Sequence, residues 1–290
     1  MRYLRNEQLK KHTSFRIGGP ADYFCVPKNI DELRQALEFA KEKGLKVAVL
    51  GAGTNLLVLE QGFPGLVIKL SGGLNSIKIK NNRIIAGAGV MLPRLIQALA
   101  QKGLGGLEFL VGIPGSVGGA VVMNAGAWGE EIAKYVESVK ALDRSGKETT
   151  LKKRKLKFSY RKSSLQGNHF IVTEVVLKLR KKKKKHIYKK LKEFLVNRRA
   201  GQPLGVPNCG SVFKNPKNDF AGRLIEAAGC KGMRIGDAQV SSKHANFILN
   251  LGDAKARDVL KLITAVQRKV KNEFKILLEP EVKIMVKSAT

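Results

Sequence analysis

Acidic residues are the scarce class in this chain: 23 Asp and Glu stand against 54 Lys and Arg in 290 residues, a formal charge of +31. So one-sided a balance invites a nucleic-acid reading. The companions of that reading are missing. Aromatics amount to 6%, no aromatic-rich strand pair is present, and no cysteine spacing suits zinc. Distribution matters more than the total. Between Arg144 and Arg199 lie 21 Lys and Arg against Glu148, Glu174 and Glu193, a net of +18. Lys181–Lys185 carries much of it, and such runs are usually solvated surface or loop. A positive field equally suits an enzyme whose ligands are polyphosphates, because it concentrates anionic substrates. Cysteine is scarce too. Cys25, Cys209 and Cys230 are odd in number and far apart, which excludes a disulfide framework and a CxxC metal or redox site. No metal is expected, and a reducing cytoplasm is the simplest compartment. The opening MRYLRNEQLKKHTSF holds no apolar segment, so no secretory signal is expected.

What is abundant is concentrated in one place. Phe109 to Gly129, FLVGIPGSVGGAVVMNAGAWG, runs 21 residues without a charge, about the length of a membrane-crossing helix. Gly112, Pro114, Gly115, Gly118, Gly119 and Gly126 argue against a helix, since each Gly or Pro costs helix stability. Two readings remain at the level of these residues. One is a glycine-rich structural turn between core strands. The other is a buried loop whose bare backbone approaches a ligand, with free amides forming a concavity for a phosphate or pyrophosphate.

The flanking chain alternates strand and helix signals. Gly18-Gly19-Pro20 precedes a short strand, Tyr23 to Val26. Asn29 reads as a helix cap with Glu32 completing a capping box; Ile30, Leu33, Leu37 and Ala40 form the buried stripe, and Gly44 ends the helix. Val47–Leu50 reads as a strand entering Gly51-Ala52-Gly53-Thr54-Asn55. The dinucleotide fingerprint fails there, because its third glycine would fall where Leu56 stands. Residues 65–90 read as a β-meander, Leu92 to Lys102 as a helix, and Ser138–Asp143 and Phe170–Leu179 as strands. Gly201-Gln202-Pro203 suggests a linker. Beyond it come a short helix at Phe220–Ala228, a strand at Asn246–Asn250, and a long helix capped by Asp253. That helix carries the stripe Val259, Ile263, Val266, Val270, Phe274; a last strand follows Pro280.

Four segments taken together, HTSFRIGGPA (12–21), LGAGTNLLV (50–58), GLEFLVGIPGSVGGAVVMNAGAWG (106–129) and NCGSVFKNP (208–216), resemble the UDP-N-acetylenolpyruvoylglucosamine reductases, the flavoenzyme family MurB. FSYR (158–161) and EPEVKI (279–284) fit as well. About 50 residues between Arg161 and Ser211 make the chain more similar to the family's shorter second class. The resemblance implies an α+β fold: a vanillyl-alcohol-oxidase/PCMH-type FAD-binding part in two subdomains, 1–70 and 71–199, and a C-terminal α/β substrate domain, 200–290. The last strand is allowed to return to the FAD part.

The resemblance further implies that FAD is wrapped by Gly18, Gly19, Gly51, Ala52, Gly53, Thr54, Asn55 and Leu56, and by Gly112, Ile113, Pro114, Gly115, Ser116, Gly118, Gly119, Ala120, Asn124, Ala125 and Gly126. Neither long loop holds a His or Cys, so the flavin is expected to be noncovalent, with NADPH as hydride donor and UDP-N-acetylglucosamine enolpyruvate as acceptor. By the same resemblance Ser211 protonates the substrate's enol carbon, and Arg161 and Glu281 engage and polarise its carboxylate. Tyr160, Asn215, Lys214 and Arg199 are implied as substrate contacts. Each has a plainer reading: Ser211 as a turn residue after Gly210, Tyr160-Arg161 as a surface cation–π pair, Lys214 and Arg199 as solvated charges. Glu279 competes with Glu281, because two residues apart on a strand share one face. His12 and His244 read as structural. A monomer without nucleic-acid or membrane partners is expected; other noncovalent flavin oxidoreductases of the same fold, and a basic nucleic-acid-binding protein, are the alternatives.

Overall fold

The computed structural model describes residues 1–167 and 169–285, and the chain divides into two compact units. The first comprises Met1–Arg5, Tyr23–Ala52 and Gly65–Arg198. It begins with α1, Ile30–Glu42, whose Asn29 side chain accepts the Glu32 N–H. The Glu32 carboxylate accepts from Lys28 N–H at 2.8 Å instead of from Asn29, so the capping box expected from sequence closes one residue earlier. Leu33, Ala36, Leu37 and Ala40 are buried on one face.

The strand Val47–Leu50 pairs in parallel with Leu66–Lys69, in the register Val47↔Leu66 to Leu50↔Lys69. This corrects the expected 65–90 meander, of which only Ile77–Lys80 and Arg83–Gly87 form a hairpin. A parallel partner has to be reached by a crossover; Leu66–Ile68 is buried without alternation, as in a sheet covered on both faces, while Val47–Leu50 alternates half-buried and buried residues. Leu4–Gln8 and Pro20–Cys25 complete that sheet, in the order Leu4–Gln8, Pro20–Cys25, Phe63–Lys69, Val47–Leu50.

A five-stranded antiparallel sheet follows, ordered Glu148–Lys152, Val136–Asp143, Phe170–Lys178, Arg83–Gly87, Ile77–Lys80. Helix α2, Leu92–Gln101, buries Leu92, Leu95, Ile96 and Leu99. These join Leu33, Ile68, Ile84, Phe109, Val139 and Val175 in one core.

The uncharged stretch is more ordered than a loop. It contains a six-residue helix, α3, Val117–Val122, capped by Ser116 Oγ accepting Gly119 N–H. Two glycines in so short a helix cost about 1 kcal/mol each relative to Ala, but tertiary packing outweighs that: Gly118 N–H reaches Ala88 O at 2.9 Å and Val117 N–H reaches Val90 O at 2.8 Å. The basic run is also not all loop, because α4, Lys184–Gly201, begins inside it. Ile187 and Leu191, one turn apart, are its buried anchors, while Lys185, Lys189, Lys190 and Lys192 are exposed.

The second unit comprises Asn6–Asp22, Gly53–Pro64 and Arg199–Thr290. Its antiparallel sheet is ordered Asn208–Ser211, Phe247–Asn250, Ala238–Val240, Arg234–Ile235. The helices are α5, Ala221–Ala227, and α6, Ala256–Phe274. The α6 stripe read from sequence, Val259, Ile263, Val266 and Val270, is buried with Phe213, Leu224 and Ile248. Its N-cap is Lys255, with the Asp258 carboxylate accepting Lys255 N–H; Asp253, the cap expected from sequence, instead pairs with Lys255 Nζ at 2.7 Å. The last strand, Lys283–Met285, pairs in parallel with Leu56–Val58. Among the described residues, no helix is long and apolar enough to cross a membrane.

Candidate active site

Within the first unit, Gly51 lies against the start of the other glycine-bearing segment. A Cβ added at Gly51 would lie 2.7 Å from Ser116 Oγ, with Gly119 Cα at 3.9 Å, so only a residue without a side chain lets this turn lie against the start of α3. Downstream, the amides of Ala52, Gly53, Thr54 and Asn55 donate to no acceptor among the described residues. Main-chain donors that are even partly buried nearly always find partners. Four consecutive amides left for an external acceptor form an anion concavity, which fits a pyrophosphate. Gly115 and Ser116 are buried with amides in the same condition. Gly18 and Gly19 differ. Gly19 N–H is spent on Leu59 O at 2.9 Å, and a Cβ there would collide with Glu60 O. The missing side chain of Gly19 is accounted for by the protein's own Leu59–Gly62 turn, and that of Gly18 by Val58, whose Cβ would lie 2.7 Å from an added Cβ.

Asn124, fully buried, ties the far end of the stretch down. Its Nδ2 donates to Glu131 Oε2 and Ser159 O, both at 2.9 Å, and its Oδ1 accepts Ala133 N–H at 3.2 Å. Next to it, the Arg161 guanidinium donates to Gly126 O at 3.0 Å and lies over the Tyr160 ring, 4.9 Å from its centroid. Arg161 has φ 55°, a left-handed conformation that costs a non-glycine residue about 1–3 kcal/mol and gathers at functional sites. The structure thus brings Tyr160 and Arg161 to the end of the glycine-rich stretch.

In the second unit, Ser211 ends the strand Asn208–Ser211 and is half-buried. It lines a cavity of about 440 Å³ together with Asn215, Arg223, Lys243, His244 and Asn246. Asn246 fixes the wall: its Oδ1 accepts Phe213 N–H at 2.9 Å and its Nδ2 donates to Phe213 O at 2.8 Å. Glu281 N–H donates to Val212 O at 2.7 Å, so the Ser211 and Glu281 backbones run side by side. Pro280 forms an antiparallel bridge with Phe213, flanked by Lys214 N–H to Glu279 O at 2.9 Å and Glu281 N–H to Val212 O, so Glu279 and Glu281 stand on either side of one short paired segment. The Glu279 side chain is 63% exposed and forms an ion pair with Lys214, itself 8% exposed. Asn215 Oδ1 accepts Ala221 N–H at 3.0 Å. Arg199 is exposed, and its carbonyl accepts from Lys243 Nζ at 2.6 Å.

Sequence reasoning passed over Arg223, Lys243 and Asn246 and set His244 aside as structural. His244 Nδ1 accepts Asn246 N–H at 3.2 Å, and burial pulls its pKa below the ordinary 6.5, so the imidazole is neutral at pH 7 with its proton on Nε2. The one available signal was Asn246, a polar residue directly before the apolar run Phe247–Leu249. His12 pairs with Glu7 at 3.0 Å.

Residues 21–152 match the family model described as "FAD binding domain", and residues 202–285 match "UDP-N-acetylenolpyruvoylglucosamine reductase, C-terminal domain". Together with the mixed sheets and helices this defines an α+β flavin-binding protein. The chain is 48% identical over 280 residues to the UDP-N-acetylenolpyruvoylglucosamine reductase of Desulforamulus reducens, covering 97% of this chain and 92% of that protein. It is 48% identical over 283 residues to UDP-N-acetylenolpyruvoylglucosamine reductase 2 of Symbiobacterium thermophilum, covering 98% and 92%. The crystal structure of the Thermus caldophilus reductase (MurB) superposes with a TM-score of 0.86 at 41% identity, over 99% of this chain and all of that one. The chain belongs to the UDP-N-acetylenolpyruvoylglucosamine reductase family.

Proposed function

We propose that this protein is an FAD-dependent reductase that uses NADPH to convert UDP-N-acetylglucosamine enolpyruvate to UDP-N-acetylmuramate, in peptidoglycan precursor synthesis. The turn Gly51–Leu56 and the stretch Gly112–Gly126 hold the FAD, noncovalently, through the amides described above. FAD bound there would supply the hydride chemistry between NADPH and the enolpyruvyl double bond. The remaining work falls to side chains. As that double bond is reduced, negative charge grows on the carbon beside the substrate carboxylate. Arg161, held in place by Gly126 O, engages the carboxylate and stabilises the charge without reorganising. Glu281 polarises the same group, and Ser211 Oγ delivers the proton to the enolate carbon. A hydroxyl is a weak acid, but the acceptor is a strong base, and contact geometry governs the transfer.

The observation that supports these assignments most directly is the Glu281 N–H to Val212 O bond, which keeps the carboxylate residue beside the proton donor in one rigid frame. Asn215, Lys214 and Arg199 are assigned to the sugar nucleotide, Lys214 with its charge shared with Glu279. The subdomain division 1–70, 71–199 and 200–290 is retained as a functional one. We place the protein in the cytoplasm as a monomer; the reaction needs no nucleic-acid or membrane partner.

The test is an anaerobic absorption titration of purified protein. Flavin bands should bleach on adding NADPH and return on adding the enolpyruvyl sugar nucleotide. Ser211→Ala should bleach normally and fail to recover. Loss of both half-reactions in that variant would remove Ser211 from the proposed role, and a colourless protein unable to take up FAD would overturn the reading.

A further inference from the structure

A second concavity, in the first unit, involves none of the residues assigned above. It measures about 750 Å³ and lies where the five-stranded sheet ends, lined by Lys134, Tyr135, Lys153, Lys178, Arg180 and Lys182 among others. A volume of this order accommodates a small organic ligand. Its floor is held by main-chain bonds: Lys178 N–H to Tyr135 O at 2.8 Å, Leu179 N–H to Asn82 O at 2.9 Å and Lys182 N–H to Gly103 O at 2.9 Å, with Arg180 paired antiparallel to Gly105. The cationic rim therefore stands on a framework that cannot simply fold away.

The charge balance within this cavity is decided by pairing. Each nearby carboxylate already has a cation. Glu130 is bound by Lys134 at 3.0 Å, and Glu137 by Arg83 through two bonds of 3.0 and 2.6 Å. Glu108, 6% exposed, holds Gly106 N–H at 2.7 Å and pairs with Lys182 at 3.5 Å. Lys153, Lys178 and Arg180 are left without a carboxylate partner among the described residues; Lys153 Nζ touches only the Lys134 carbonyl, at 3.4 Å. Three uncompensated cations converge on one concavity, with the Tyr135 phenol beside them. Burial and the neighbouring Glu130 and Glu108 carboxylates raise the Tyr135 pKa, and its phenol is already hydrogen-bonded to Glu130, so recognition here rests on the three cations. Arg180 offers the planar fork that matches phosphate oxygens, and the two lysines offer point charges.

We propose that this cavity is a second anion site, for a ligand carrying a phosphate or diphosphate group, separate from the residues that hold the flavin and the sugar nucleotide. The ligand is either a soluble phosphorylated metabolite or the phosphate of an anionic lipid headgroup; the recognition chemistry is the same.

The test uses FAD-loaded protein, so that the flavin's own phosphate cradle is filled. Inorganic pyrophosphate is titrated calorimetrically at low and moderate salt, and sedimentation is measured with phosphatidylcholine vesicles with and without phosphatidylglycerol. The variant Lys153→Gln/Lys178→Gln/Arg180→Gln removes the three unpaired cations. Lys185→Gln/Lys189→Gln/Lys192→Gln, on the exposed face of α4, removes the same charge elsewhere. Pyrophosphate or vesicle binding weakened about tenfold or more by the first variant and hardly by the second supports the site. Pyrophosphate binding without vesicle binding identifies a soluble ligand, and binding to the phosphatidylglycerol vesicles identifies the headgroup. Equal losses in both variants would reduce the effect to net charge and overturn the proposal. So would wild-type protein that binds neither probe.

Discussion

Gly51→Ala tests the contact that joins the two glycine-bearing segments. The residue is outside the left-handed backbone region, so alanine's cost there is the contact alone. The new Cβ would sit 2.7 Å from Ser116 Oγ, where ordinary contact starts at 3.4 Å. Ser116 is 2% exposed and accepts Gly119 N–H at 3.3 Å. To make room the hydroxyl must rotate, which gives up an N-cap worth about 1 kcal/mol and leaves a buried hydroxyl seeking a partner, about 1–3 kcal/mol. The expected destabilisation is about 2–4 kcal/mol, with the melting temperature lower by roughly 2–4 °C per kcal/mol. FAD should bind at least about tenfold more weakly, because the turn that carries the free amides is displaced. Ser116→Ala alone removes the cap and should cost about 1 kcal/mol. The double variant should be little worse than Ser116→Ala, because Ser116 Cβ lies 3.9 Å from the new methyl. Thermal melts and flavin-fluorescence titrations of the four proteins give a double-mutant cycle whose predicted coupling equals the cost of Gly51→Ala alone, about 2–4 kcal/mol. Additive effects within error would refute the contact as the reason for glycine.

Asn246→Ala should destabilise the second unit by about 2–4 kcal/mol, because Phe213 N–H and C=O both lose their partner while buried; denaturant melts measure it. His244 gives a pH dependence. Its folded pKa is depressed by burial, so its contribution to stability is fully present above pH 6.5 and is lost as the pH falls from there through the lower folded value. His244→Gln should flatten that acid limb of the melting profile, and an unchanged limb would count against a buried neutral imidazole. Burial pushes Cys25 and Cys209 up to about 12 and raises Cys230 as well. All three thiols should therefore resist a disulfide reagent at about pH 8 in the native protein and titrate fully once it is unfolded. Early release of a thiol without unfolding would contradict their burial.

Local signals were legible wherever short-range physics decides. The α1 stripe Leu33, Leu37 and Ala40 and the α6 stripe Val259 to Val270 follow from helical periodicity, which tertiary packing then fills. The strand at Leu56–Val58, which breaks the dinucleotide fingerprint, was equally readable, since a leucine cannot replace the third glycine. Helix α4 was hidden because only Ile187 and Leu191 are its buried apolar residues, and Lys184, Lys185, Lys189, Lys190 and Lys192 around them mask so thin a stripe. Helix α3 was hidden by Gly118 and Gly119, residues that lower helix propensity but are tolerated where the backbone packs on Ala88 and Val90.

The sequence by itself determined the family, through motif order, and the residue types available for chemistry: glycine loops without His or Cys, Ser211 after Gly210, Arg161 after Tyr160. It also determined that charge is overwhelmingly positive. Pairing was decided only in three dimensions. Register set Leu66–Lys69 beside Val47–Leu50, and close approach set Gly51 against Ser116. Ion pairing separated Lys214, bound to Glu279, from Lys153, Lys178 and Arg180, whose charge no carboxylate offsets among the described residues. Periodicity reports which face of an element is apolar, but it carries no information about which distant segment that face, or that charge, will meet.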